Sequence, residues 1–177
     1  MSSTEENLQP TFVTEKNLQE AFAGESQANR RYLFFADKAD KEGHPQVARL
    51  FRAAAEAETV HARNHFAAMD GIGSTKDNLT AAAMGEHYEF TRMYPPFIEQ
   101  AELENNKRAQ RSFEYANEVE QLHHRLFEEA LKALESGQNL KDEPYFVCPV
   151  CGNTVASEAP ERCPICGAPR DRFKRVE

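Results

Sequence analysis

The sequence predicts a mainly α protein, a four-helix bundle followed by a small metal domain. Three observations carry this. Apolar residues recur at three- and four-residue spacing over long stretches bounded by Gly and Pro. The tetrads Glu58-x-x-His61 and Glu120-x-x-His123 each follow an upstream Gly-Glu pair, Gly24-Glu25 and Gly85-Glu86. All four cysteines, Cys148, Cys151, Cys163 and Cys166, fall near the end of the 177 residues.

Residues 1–13 read as a flexible tail. From Thr14, an expected N-cap, the pattern Leu18, Phe22, Glu25, Ala28/Asn29, Tyr32 runs to a stop at Gly43. Pro45 opens a second helix, where no amide donor is needed, and Val47, Leu50, Phe51, Ala54, Glu58, His61 and His65 continue it to Met69 before Gly71-Ile72-Gly73-Ser74. A third is expected after Asp77, carrying Ala81, Met84, Glu86, Glu89 and Met93, with a break or bend at Pro95-Pro96. Helix should resume over 97–102, and a fourth should run from near Glu104 to Glu135, closed by Gly137. Four long helices with short links make a bundle over 14–137. A polar linker, 138–143, leads to 144–177, too short to bury a core without a structural metal.

The composition, 40% hydrophobic and 28% charged, is that of a soluble globular chain. The net charge of −8 argues against nucleic acid, and no apolar run suggests a membrane segment or export signal, so a cytoplasmic location is expected.

Glu at i and His at i+3 lie on one helix face and can reach one ion. Glu25 to Glu86 is 61 positions and Glu58 to Glu120 is 62, so each half of the chain supplies half a cage. Buried carboxylates of this number are tolerated only when paired or metal-bound. The candidate ligands are Glu25, Glu58, His61, Glu86, Glu89, Glu120 and His123, a set suited to two iron ions, with manganese or zinc as alternatives. The repeat breaks where Ala28 is replaced by Glu89, so the two metals have unequal surroundings. Tyr32 and Tyr94 are placed to hydrogen-bond ligand carboxylates.

Cys148-Pro-Val-Cys151-Gly152 and Cys163-Pro-Ile-Cys166-Gly167 predict a tetrahedral four-thiolate site. Spacing does not separate zinc from iron. A neighbouring redox di-metal site favours iron, a one-electron carrier in such a cage.

The chain resembles the rubrerythrin family from about Thr14 to Val176. The resemblance rests on 21-AFAGESQA-28, Glu58-x-x-His61, 85-GEHYE-89 with 93-MYP-95, Glu120-x-x-His123 and the paired cysteine turns. It implies a ferritin-like di-iron bundle joined to a rubredoxin-like iron domain, with reduction of hydrogen peroxide to water as the activity. Glu58 and Glu120 would then bridge the irons, Glu25 and Glu86 would be terminal, and His123 would bind one iron. Glu89 and His61 would alternate on the other. A homodimer and a redox partner, a reductase or free rubredoxin, are also implied. Asn153, where an apolar residue commonly follows the turn, departs from the pattern. Two rivals remain at this stage: a ferroxidase of the iron-handling class, and a non-enzymatic electron carrier with a structural zinc ribbon.

Overall fold

The computed structural model describes residues 13–177, so the expected tail lies outside the described residues but for Val13. Among the described residues five α-helices precede a small sheet: α1 (Val13–Lys41), α2 (Pro45–Ala68), α3 (Thr75–Tyr88), α4 (Tyr94–Leu103) and α5 (Lys107–Glu135). The mainly α fold class expected from periodicity is what forms. The chain divides into two compact units at Gly73/Ser74.

In the first unit α1 and α2 run antiparallel. Ala36 and Ala39 pack on Ala48 near the connecting turn. Further along, the Asn29 amide donates to the Ala55 carbonyl (2.6 Å) and to Thr59 Oγ1 (2.9 Å), and at the far end Phe22 stacks on Phe66 with centroids 4.8 Å apart. Alanines at the contact let the backbones approach closely, and few large side chains of this unit are buried. Phe34 and Leu50 stay 66% and 67% exposed. Thr14, expected as N-cap, lies inside α1. α2 begins at Pro45 as expected, but the left-handed residue that ends it is Asp70 (φ 53°) and not a glycine. Gly71 is needed for a different reason: a Cβ there would meet the Phe66 ring at 2.4 Å.

In the second unit α3 begins earlier than expected. Ser74 caps it through a reciprocal pair, accepting from the Asp77 amide while Asp77 accepts from the Ser74 amide. The sequence pattern alone places Ser74 in the preceding turn. The largest difference concerns Pro95-Pro96. The helix does not break there; a π-helical turn, Glu89–Met93, joins α3 to α4, and the prolines occupy the first turn of α4. The wider turn closes with the Tyr94 amide reaching back to the Glu89 carbonyl, five residues earlier, just before the two residues that cannot donate. α5 starts at Lys107 behind an Asn106 cap, three residues later than expected. It packs antiparallel to α3 and α4, as the ion pair Lys76–Glu135 (2.9 Å), the bond between His124 Nδ1 and the Ala83 carbonyl (2.9 Å) and the Phe97–Phe113 contact show.

The C-terminal segment forms an antiparallel sheet in the order β2-β1-β3, from β1 (Tyr145–Val147), β2 (Thr154–Ala156) and β3 (Lys174–Val176). Tyr145 faces Ala156 on one side and Val176 on the other. Its core is Cys148, Cys163 and Ala168, with Ile165 and Phe173 against them. Such a core is too small to hold a domain unaided. Among the described residues no helix is long and apolar enough to cross a membrane.

Candidate metal centres

Among the described residues three groups of ligand-type side chains converge, each with its donor atoms within 4.8 Å of one another. The first unit brings together Glu25 of α1 with Glu58 and His61 of α2. His61 Nδ1 stands 2.8 Å from Glu58 Oε2, the two meeting because they are one turn apart. The imidazole is 54% exposed and Glu58 only 17%.

The second unit brings together Glu86 of α3 with Glu120 and His123 of α5. His123 Nδ1 lies 2.7 Å from Glu120 Oε2 and 3.8 Å from Glu86 Oε1. Burial, a hydrogen bond to Glu120 and the charge of Glu120 push the Glu86 carboxyl up to about 7, so these two acids share a proton when no cation is there to replace it. The hydrogen bond to Glu120 raises the His123 pKa against burial, which opposes it. Glu89, on the π-helical turn, stands outside this triad's ligand group. Burial and then the Glu120 charge raise its pKa, so the two carboxylates feel each other. Tyr94 is raised by burial and then by Glu89, Glu120 and Glu86, which places its hydroxyl in the field of all three acids. Tyr32 packs on Phe35 and Phe51, and among the described residues no carboxylate accepts from it. A cavity of about 450 Å³ opens against Glu86 and His123, with Leu79, Leu126 and Phe127 in its walls.

One residue of this centre was not foreseen. Thr154, the first residue of β2, donates from Oγ1 to the Gly152 carbonyl (3.0 Å) and accepts from His123 Nε2 (3.0 Å). The Nε2 proton is thereby held away from the triad, and Nδ1 is the nitrogen left to a metal. The contact spans 31 residues of sequence, and no local spacing announces it.

The four cysteines are free of disulfides. Cys148 Sγ lies 3.5 Å from Cys166 Sγ, and Cys151 Sγ 3.5 Å from Cys163 Sγ. Tetrahedral metal–sulfur bonds of ~2.3 Å set sulfurs ~3.8 Å apart, so the cage already has nearly the right size. Gly152 (φ 89°) and Gly167 (φ 75°) adopt the left-handed conformation expected of these turns, and their amides donate to the Cys148 and Cys163 carbonyls at 2.9 Å. Burial raises the Cys163 thiol, but the Cys166 and Ile165 amides and neighbouring sulfurs outweigh it and bring it to about 7. Burial pushes Cys151 and Cys166 upward. Asn153 is fully buried, and among the described residues neither polar atom of its side chain has a hydrogen-bond partner.

The donor chemistry fits the metals expected: carboxylate and imidazole for the helical groups, four thiolates for the last. Comparison with known proteins agrees. The rubrerythrin family model matches residues 16–131, and a second, described as the rubrerythrin rubredoxin-like domain, matches 146–174. Rubrerythrin from Porphyromonas gingivalis is 41% identical over 93% of this chain and 90% of its own length. Rubrerythrin-2 from Clostridium acetobutylicum is 37% identical over 92% of this chain and 96% of its own. A solved structure of nigerythrin in a partially reduced state superposes with a TM-score of 0.56 at 32% identity, covering 99% of this chain and 92% of that one. Another, with a TM-score of 0.56, is of its fully reduced, all-ferrous state. Both segments are matched in chain order and over nearly the whole length, so the chain belongs to the rubrerythrin family, ferritin-like di-iron proteins of oxidative stress with a rubredoxin-like iron domain.

Proposed function

We propose that this protein is a peroxidase that reduces hydrogen peroxide to water at a di-iron centre, using electrons that enter through the four-cysteine iron. The balance is one peroxide, two electrons and two protons to two waters. When bound, the irons supply the electrons and the Lewis acidity. In this reading Glu25, Glu58, His61, Glu86, Glu89, Glu120 and His123 hold two irons and Cys148, Cys151, Cys163 and Cys166 hold one. By the family resemblance Glu58 and Glu120 would serve as shared ligands, Glu25 and Glu86 as ligands of one iron each, and His61 and Glu89 as alternative ligands in different oxidation states. The working division is a bundle over 14–137 and a rubredoxin-like domain over 144–177, acting as a cytoplasmic homodimer.

The observation that carries the reading is the link His123–Thr154–Gly152. It joins a metal-ligand imidazole to the residue next to Cys151 by two hydrogen bonds of 3.0 Å. An iron-storing protein has no use for an internal electron route. Around the site the residues have separable tasks. Thr154 orients His123. Tyr94, whose pKa burial and the charges of Glu89, Glu120 and Glu86 raise, keeps a neutral hydroxyl within the field of these acids. Leu79, Leu126 and Phe127 give the adjoining cavity apolar walls that limit bulk water.

The test is steady-state consumption of peroxide by iron-loaded protein supplied with a reductant, against the same protein given Fe(II) and oxygen. Turnover with peroxide supports the proposal. Fe(II)-dependent growth of a mineral core without peroxide turnover overturns it in favour of iron handling.

A further inference from the structure

We propose that a cationic cavity beside Cys151 is the docking site for an acidic, one-electron carrier protein. The proposal rests on the reading that electrons enter through the four-cysteine iron, and adds where the donor binds and what its surface must be. Lys107, Arg108 and Arg111, on the first two turns of α5, share a cavity of about 570 Å³ with Tyr115, Val150 and Cys151.

Three features set these cations apart. Among the described residues none is paired with a carboxylate; Lys107 reaches only Gln110 Oε1, at 3.2 Å. They form a local positive patch on a chain whose net charge is −8, so an acidic partner is attracted here and repelled by the protein's average surface. They also do nothing for their own helix. The first turn of α5 contains no acid, and cations there oppose the helix dipole. Helix stability therefore does not account for them.

The same cavity is lined by one thiol of the sulfur site. Val150 is 51% exposed and Cys151, one of the four thiols, is half-buried beside it. A partner seated on the cations comes within reach of a ligand sulfur without crossing protein. The exchange is one electron from the carrier to the cysteine-bound iron, with no bond made or broken. This stoichiometry selects the partner's class. A reduced nicotinamide delivers a hydride, two electrons at once, and does not match a one-electron acceptor. A small acidic redox protein does, and an open cavity rimmed by charge is the form of a weak, fast encounter.

The test uses the full iron-loaded chain with reduced flavodoxin, an acidic one-electron carrier with its own optical signature, as the probe. Reduction of the four-cysteine iron is followed by stopped flow from about 0.02 to about 0.5 M ionic strength. The wild-type second-order rate constant should fall steeply with salt. At low salt, Arg108→Glu with Arg111→Glu should lower it at least ~10-fold and flatten the salt dependence. The milder Lys107→Gln with Arg108→Gln should fall between, which guards against a folding defect in the double reversal. Lys16→Glu with Lys38→Glu makes the same change in net charge on α1 and should have little effect. Photoreduced lumiflavin, neutral and small, should reduce all four proteins at one rate. Equal loss in the α1 control, or none in the Arg108/Arg111 variant, overturns the proposal. So does a salt-dependent, variant-sensitive rate with reduced flavin mononucleotide but not with flavodoxin, which marks a small phosphate site. Failure of lumiflavin to reduce a correctly iron-filled site would instead count against electron entry there at all.

Discussion

Lowering the pH should expel metal from the triad Glu86, Glu120 and His123. In the metal-free protein the Glu86 carboxyl is raised to about 7, by burial first and then by its bond to Glu120. A cation must displace the shared proton, so the proton competes below the raised pKa and ceases to compete above it. With this one group, apparent affinity scales as 1/(1 + 10^(7−pH)): about 10% below its limit at pH ~8, half at pH ~7 and about one eleventh at pH ~6. The loss between pH ~8 and ~6 is therefore about tenfold, or ~1.4 kcal/mol. His123 steepens the fall, because its pKa is also raised by Glu120 and its Nδ1 proton must leave too. Isothermal calorimetry with Mn(II), repeated in buffers of different ionisation enthalpy, measures both affinity and protons released. Near pH ~6 about one proton or more should leave on binding, and near pH ~8 only a small fraction of one from Glu86. Affinity constant within about twofold from pH ~6 to ~8, with no buffer-dependent heat, refutes the shared-proton account.

Four variants test other parts of the site. Glu120→Ala removes the acid bonded to both Glu86 and His123; it should abolish di-metal binding while the cysteine site stays filled, and full bundle iron by metal analysis would contradict this. Cys151→Ser with Cys166→Ser should end steady-state peroxide turnover, yet a chemically reduced di-iron centre should still react once in a single-turnover experiment. Thr154→Val removes the acceptor that holds His123 Nε2 and should cost about 10- to 100-fold in metal affinity or electron passage between the sites, read separately by titration and by flash reduction. Glu89→Ala should slow the return to the oxidised state, and crystals of the oxidised and reduced protein should show which ligand, Glu89 or His61, each state uses.

Much of the site was legible because a helix converts sequence spacing directly into geometry. Glu58 with His61, and Glu120 with His123, meet at 2.8 and 2.7 Å because three residues are nearly one turn. The cysteine turns were legible for a similar local reason, glycines following each Cys-x-x-Cys. The π-helical turn was not. Two prolines ordinarily end a helix, and whether the chain breaks or widens is decided by packing on α5, through contacts such as Tyr94–Phe113. Thr154 was invisible because its partner is 31 residues away in another element. The cationic cavity was missed because Lys107, Arg108 and Arg111 look like ordinary surface charge until the fold brings Val150 and Cys151 to the same cavity. Asn153 was noticed as a departure; the structure adds that its amide is buried and unpaired.

The central claim, peroxide reduction fed through the four-cysteine iron, is tested most directly by mixing fully reduced, iron-loaded protein with limiting peroxide and, separately, with oxygen, while the absorbance of both iron sites is followed. The account predicts rapid oxidation of the di-iron centre by peroxide in preference to oxygen, followed by oxidation of the cysteine-bound iron as its electron moves inward, with Thr154→Val slowing only the second phase. A di-iron centre inert to peroxide, or a cysteine site whose oxidation state never follows it, would contradict the account.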